Sequence, residues 1–215
     1  MRCPGRFEFV PPVVTPTTDG RALVPSGGTY AAWGPLANLV GTWQSGWEGV
    51  DVSYHNDQGK LTETRYRETT SFQPFGPIQN GDQRLFGLDY RTAAYRVDRG
   101  TPFHTEVGYW MWDETNNEVI RCFIVPQGTT LIAGATVEPD ATHFQLTAIL
   151  GSNTYGILSN PHLDRFFRTT RYDVTVTVDD ETYAYDGTTV VEHVKHPAII
   201  LHADRNRLHR ISGGS

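Results

Sequence analysis

The sequence predicts an all-β fold: a single antiparallel up-and-down β-barrel of about ten strands, with a short helix near the N-terminus. Three observations predict it. The composition is turn-rich and aromatic-rich, with 21 Gly, 13 Pro, 10 Tyr, 10 Phe and 5 Trp in 215 residues. That balance excludes a disordered chain, a collagen-like repeat and a coiled coil. Roughly ten segments alternate with period two and are rich in Val, Ile, Thr, Tyr, Phe or Trp. The loops between most of them are short, which makes successive strands antiparallel neighbours. No βαβ rhythm and no internal repeat appears. So many meandering strands must sandwich or close. Closure removes the unpaired edges, and a barrel of about eight to ten strands leaves a ligand-sized interior.

The elements follow in order. Residues 1 to about 28 hold prolines and Gly-containing turns with little periodicity, so 1–35 reads as an extended arm and 36–211 as the barrel domain. Residues 31–40, AAWGPLANLV, fit a brief helix with Pro35 in its first turn. Period two then begins. The segments run 39–52, 63–72, 84–97, 103–112, 118–125, 129–137, 143–150, 169–178, 182–191 and 198–211. DETNN, PQG and DDE separate consecutive strands as tight turns. One longer interruption, 151–167, should carry a turn or a single helical turn.

Charge and cysteine content narrow the function. The net charge is -6 and there is no basic block, which argues against nucleic acid and against polybasic docking to a membrane. No apolar run approaches the roughly 20 residues of a membrane helix. MRCPGRFEFVPPVV has no continuous apolar core and no small-residue cleavage site, so no signal peptide is expected and the protein is expected to be cytoplasmic. Two cysteines make no disulfide framework. Cys3 falls in the arm, and Cys122, in VIRCFIV, reads as a small core residue rather than a nucleophile.

Several residues could carry chemistry. Along the last strand Ala198, Ile200, His202, Asp204, Asn206 and Leu208 share one face, while Arg205, Arg207 and His209 share the other. Arginines belong in water, so the His202 face points inward. A neutral imidazole projecting into an apolar barrel suits an axial ligand of haem iron. Asp204, on the same face, could take the other ring N–H and fix the tautomer. The competing reading is a structural histidine satisfied by Asp204 or by a backbone carbonyl. His104 is the second inward candidate; Glu106 and Trp110 share its face, and a His104–Glu106 structural dyad is the leading reading. Trp43, in Gly41-Thr42-Trp43, either packs across one barrel end or is an ordinary core tryptophan. His193 and His196 lie three apart without further ligands, so a solvated loop fits better than zinc. No nucleophile elbow, dinucleotide fingerprint or P-loop is present. Glu63, Glu68 and Glu106 could be paired acids, but the sequence does not fix their separation.

Three motifs together resemble the nitrobindin family of haem-binding β-barrels, which are built like fatty-acid-binding proteins within the calycin group. They are Gly41-x-Trp43-x-Ser45-x-x-Glu48-Gly49, Pro102-Phe103-His104-Thr105-Glu106-Val107-Gly108-Tyr109, and Leu201-His202-Ala203-Asp204-Arg205-Asn206-Arg207-Leu208. Ala133-Gly134 falls where that family has its strand glycine, and Ser45 stands where it usually has Gly. The resemblance covers about 36–211. It implies haem b, with His202 as the proximal iron ligand and His104 and Trp43 near the cofactor. It further implies a ferric haem in a donor-poor pocket that binds nitric oxide and isomerises peroxynitrite to nitrate, and it leaves room for a homodimer. The N-terminal arm and the insertions around 74–84 and 151–167 are expected to cover the barrel mouth. A second function stands beside this one: a carrier of a fatty acid or other small apolar ligand, with no haem, in which Arg65, Arg91 or Arg171 would face inward to pair a carboxylate. A third is a structural barrel with a filled core.

Overall fold

The computed structural model describes residues 30–55 and 58–212. The N-terminal arm up to residue 29, with Cys3, lies outside the described residues. Twelve strands form one sheet that closes on itself. They are β1 (Gly41–Gln44), β2 (Gly49–His55), β3 (Lys60–Asn80), β4 (Gln83–Arg96), β5 (Pro102–Asp113), β6 (Glu118–Ile124), β7 (Thr129–Thr136), β8 (His143–Leu150), β9 (Gly156–Ser159), β10 (Phe167–Val178), β11 (Thr182–His193) and β12 (His196–Ser212). The barrel class predicted from sequence is correct.

The two additional strands have separate causes. Both β1 and β2 lie between β3 and β12, antiparallel to each. They are one stave broken by a kink at 45–48. Glu48 makes the kink: its Oε2 accepts the Gly46 and Trp47 N–H groups at 2.7 Å. The second addition is β9, inside the 151–167 interruption. It pairs antiparallel with β7 and parallel with β8, and is the one departure from up-and-down order in the described sheet.

One end of the barrel is packed solid. A 3-10 helix, Tyr30–Leu39, lies there in place of the expected helix, with a break at Gly34 (φ 52°). A side chain at Gly34 would meet the Trp112 ring at 2.7 Å, so both the backbone angle and the close approach need glycine. Trp33 Nε1 donates to Gly87 O at 2.9 Å, and Trp43 Nε1 donates to Leu39 O at 2.8 Å. Leu36, Leu39, Trp43, Phe72, Leu88 and Trp110 are fully buried in this plug. The 74–84 segment belongs to it as well. That segment is the tip of the β3–β4 hairpin, tied by Arg84–Glu114 (3.0 Å) and by Thr115 Oγ1 donating to Asp82 O (3.0 Å). It therefore does not cover the mouth, contrary to expectation.

The other end is open. A short helix α1 (Pro161–Phe166) sits beside it, started by Asn160, whose side chain accepts the His162 and Leu163 N–H groups at 3.0 Å, and by Pro161 in the first turn. Leu163 and Phe167 line the opening, so the 151–167 insertion does border the mouth. No helix among the described residues is long and apolar enough to cross a membrane.

Candidate functional site

The barrel encloses a cavity of about 540 Å³ that reaches the open end. That volume suits a small molecule, and it excludes the filled-core reading. Phe103, Phe123, Leu131, Leu163, Phe167 and Ile200 give it an apolar upper wall.

His202 lies on that wall. The parity read from the last strand is right: Ile200, Asn206 and Leu208 are buried, while Leu201, Arg205 and Arg207 are exposed. The partner differs from expectation. His202 Nε2 is hydrogen-bonded to Asp51 Oδ2, not to Asp204. Strand pairing explains this. Asp51 on β2 faces Asp204 across the β2–β12 ladder, so Asp51 and His202 are diagonal neighbours on the inner face. Ser53 Oγ, two residues along, donates to Asp51 Oδ1 at 2.7 Å and fixes the carboxylate. Burial disfavours a charge on either group. For His202 the Asp51 bond outweighs burial and holds the ring above the ordinary histidine range. For Asp51 the reverse holds: the His202 bond outweighs burial and keeps the carboxyl below its usual range.

Asp204 instead accepts the Tyr66 hydroxyl. Burial pushes its carboxyl up to about 7, against the pull of the Tyr66 bond. Tyr66 also meets the Tyr185 hydroxyl at 2.8 Å, and Tyr185 donates to Glu68 Oε2 at 2.6 Å. Glu68, buried at 4% exposure, further accepts Thr70 Oγ1 and Thr92 Oγ1 at 2.6 Å and Asn206 Nδ2 at 2.8 Å. Ser45 joins this cluster: its Oγ accepts the Glu68 N–H at 2.9 Å and Asn206 Nδ2 at 3.0 Å. A glycine there would leave the Glu68 N–H without this acceptor and Asn206 with its Glu68 bond alone.

His104 is also on the cavity wall and pairs with Glu106 at 3.1 Å, as the dyad reading had it. Glu106 Oε2 accepts Arg121 Nη2 at 2.6 Å and the Tyr90 hydroxyl at 2.9 Å. Arg121 Nη1 donates to the Tyr172 hydroxyl. Burial raises the Glu106 carboxyl, but Arg121 and His104 overrule it and bring it down to about 2.

Arg121 was not found from the sequence. VIRCFIV reads as an apolar strand with Cys122 in the core, yet Val119, Arg121 and Phe123 face in and Cys122 faces out, half-buried. The reading of Cys122 as a core residue is thus corrected. The arginine is tolerated inside because a carboxylate, two hydroxyls and the rings of Trp110 and Phe123 surround it, its guanidinium carbon lying 5.0 and 4.6 Å from those rings. A carboxylate two residues after a histidine on the neighbouring strand was the one available hint. Asp51, Tyr66 and Tyr185 were missed too, since only the strand register brings them to His202 and Asp204.

The remaining candidates lie elsewhere. Trp43 sits in the plug and does not line the cavity. Arg65, Arg91 and Arg171 are exposed, and Arg65 and Arg171 pair with Glu63 and Asp173. Glu63 is outward, so only Glu68 and Glu106 of the three suggested acids face in. His193 is buried at the mouth between Tyr54 and Phe167, a packed position rather than the expected solvated loop, while His196 begins β12 beside Tyr54. No group of three metal-ligating side chains forms among the described residues.

A planar haem fits what is present. The cavity opens to solvent at one end, aromatic and aliphatic side chains form part of its lining, and the His202 imidazole faces into it beside Asp51 and Asp204. Five donor groups are engaged by neighbours: His104 by Glu106, Arg121 by Glu106 and Tyr172, Tyr90 by Glu106, Tyr66 by Asp204 and Tyr185 by Glu68. A fatty-acid carboxylate fits poorly. It would meet Asp51, Glu68, Glu106 and Asp204, and the inward guanidinium is already held by Glu106.

The comparisons agree with this architecture. The family model for the THAP4-like, heme-binding beta-barrel domain matches residues 32–210. The crystal structure of Rv2717c from M. tuberculosis superposes with a TM-score of 0.59 at 21% identity, covering 88% of this chain and 99% of that one. That likeness concerns the fold. No curated protein matches the chain.

Proposed function

Because the chain belongs to the THAP4-like family of heme-binding β-barrel domains, we propose that it holds haem b in the barrel cavity with His202 as the single protein ligand to iron. The carrying observation is the inward imidazole of His202 on the wall of an open 540 Å³ cavity. Phe103, Phe123 and Ile200 would flank the porphyrin faces, and the open end leaves its carboxylates in water rather than beside Asp51 and Glu68. When bound, the iron supplies Lewis-acid and ligand-binding chemistry. The finer reading is that the loaded protein binds nitric oxide and isomerises peroxynitrite to nitrate. Its support is that the two inward basic side chains nearest Glu106 are already committed to it: His104 pairs with Oε1 and Arg121 donates to Oε2. Those commitments hold His104 and Arg121 in place and keep the interior charges paired.

Hemin added to the purified protein should give a Soret band at one equivalent. His202→Ala should weaken hemin affinity by about tenfold or more, the scale of one lost metal ligand contact. Unchanged affinity and spectrum in that variant would refute the assignment. For the finer reading, the loaded protein should speed peroxynitrite decay in stopped-flow with nitrate as the product; an unaltered decay rate would refute that part alone.

A further inference from the structure

We propose that Asp51 is a latch on His202, holding the imidazole against the barrel wall so that iron must displace a carboxylate to bind. This rests on the haem reading above and adds a residue that decides affinity.

The geometry is specific. Asp51 and His202 come from neighbouring strands and share the inner face. Ser53 holds one carboxylate oxygen at 2.7 Å, and the other oxygen meets His202 Nε2. Nε2 is the ring nitrogen farthest from the backbone and the one that can extend towards the barrel axis. A nitrogen donating its hydrogen to a carboxylate offers no lone pair to a metal. In the neutral ring the lone pair then sits on Nδ1, next to the backbone of β12. A porphyrin is too broad to bring its iron there without striking the strand. Coordination therefore requires Nε2, and Nε2 is taken.

A second inward histidine, His104, shows that the Asp51 arrangement is distinct. His104 has a carboxylate partner too, but Glu106 is also bound by Arg121 and Tyr90. Among the described residues Asp51 has Ser53 and His202 as its side-chain hydrogen-bond partners. Its charge is compensated chiefly by the ring that iron would claim. A hydrogen bond to a charged group is among the stronger ones in a protein, so giving it up subtracts directly from haem affinity.

Hemin titrations followed at the Soret band test this with four proteins: wild type, Asp51→Asn, Ser53→Ala and His202→Ala. Asp51→Asn should bind hemin about tenfold or more tightly than wild type, since a neutral amide competes less well for the ring. Its Soret maximum should match that of wild type, because the iron ligand is the same. Ser53→Ala removes the carboxylate's other donor and leaves it more dependent on the ring, so it should bind hemin severalfold more weakly than wild type. Equal or weaker binding by Asp51→Asn, with binding still lost in His202→Ala, would overturn the latch and leave the haem reading intact. Should Asp51→Asn fail to fold by circular dichroism, Ser53→Ala decides alone, and equal or tighter binding there overturns the latch. Unchanged binding in His202→Ala would overturn the haem reading and the latch with it.

Discussion

Glu106 holds two basic side chains at once. One oxygen accepts Arg121 and Tyr90; the other meets His104. Its carboxyl, drawn down to about 2 in the folded protein, has an ordinary value of 4.5. A carboxyl lowered by folding stabilises the fold above its unfolded value and loses that contribution as pH falls towards the folded one. Stability should therefore decline between about pH 4.5 and pH 2, and part of that decline belongs to Glu106. Glu106→Gln should lower stability at pH 7 by about 3–5 kcal/mol, because Arg121 becomes a buried cation without its counter-charge. Urea melts over a pH series would show both effects, the variant having a shallower acid slope than wild type. Wild-type stability at pH 7 would contradict the account. At this scale the sequence was only half legible. Arginine-outward logic placed the His202 face correctly on β12, where Arg205 and Arg207 are exposed. Arg121 on β6 runs against that logic, because its compensation comes from Glu106 on β5, Tyr90 on β4 and Tyr172 on β10. Asp204 was the obvious partner for His202 by spacing along one strand, but its tyrosine lies on β3 and the histidine's carboxylate on β2.

Strand β5 shows how one residue can set the spacing of two elements. Gly108 pairs with Phe123 on β6, and a side chain added there would sit 2.0 Å from Cys122 O and 2.7 Å from Phe123 Cα. Those are backbone atoms, so nothing flexible can yield. Gly108→Ala should push β5 from β6 and cost about 1–3 kcal/mol, the usual range for overpacking. At about 2–4 °C per kcal/mol for a chain of this size, differential scanning calorimetry should record a fall of several degrees. Loss should also appear in the site, because His104, Glu106 and Arg121 are carried by these two strands. An unchanged melting temperature would mean that the strands absorb the methyl group elsewhere. Elements were easier to read than their interruptions. All ten period-two segments are strands, since alternation follows directly from a sheet with one face inward. The kink between β1 and β2 depends on a single carboxylate folding back on two N–H groups, and β9 is four residues long. Neither leaves a periodic trace.

The barrel as a whole is shut at one corner by Arg210. Its Nε donates to Asp180 O at 2.7 Å, Nη2 to Asn38 O at 2.8 Å and Nη1 to Val40 O. The guanidinium also stacks 4.1 Å from the Trp43 ring. One side chain near the end of β12 thus joins the exit of the 3-10 helix, the β10–β11 turn and the plug tryptophan. These pieces are distant in sequence, so the clasp forms only once the barrel has closed. Burial pulls the Arg210 pKa below the ordinary arginine value, against the Asp180 and Asp179 carboxylates, which raise it. Arg210→Ala should lower stability by about 2–3 kcal/mol, the scale of a few charge-assisted bonds at a partly wet site. Arg210→Lys should recover little of it, because a compact ammonium cannot span three carbonyls and lie flat on an indole. The cavity is at the opposite end, so the folded fraction of either variant should titrate hemin with wild-type affinity. Guanidinium melts paired with hemin titrations would separate the two properties. A variant that kept its stability, or lost hemin affinity in proportion to it, would show that closure and cavity are one cooperative unit rather than two ends with separate tasks.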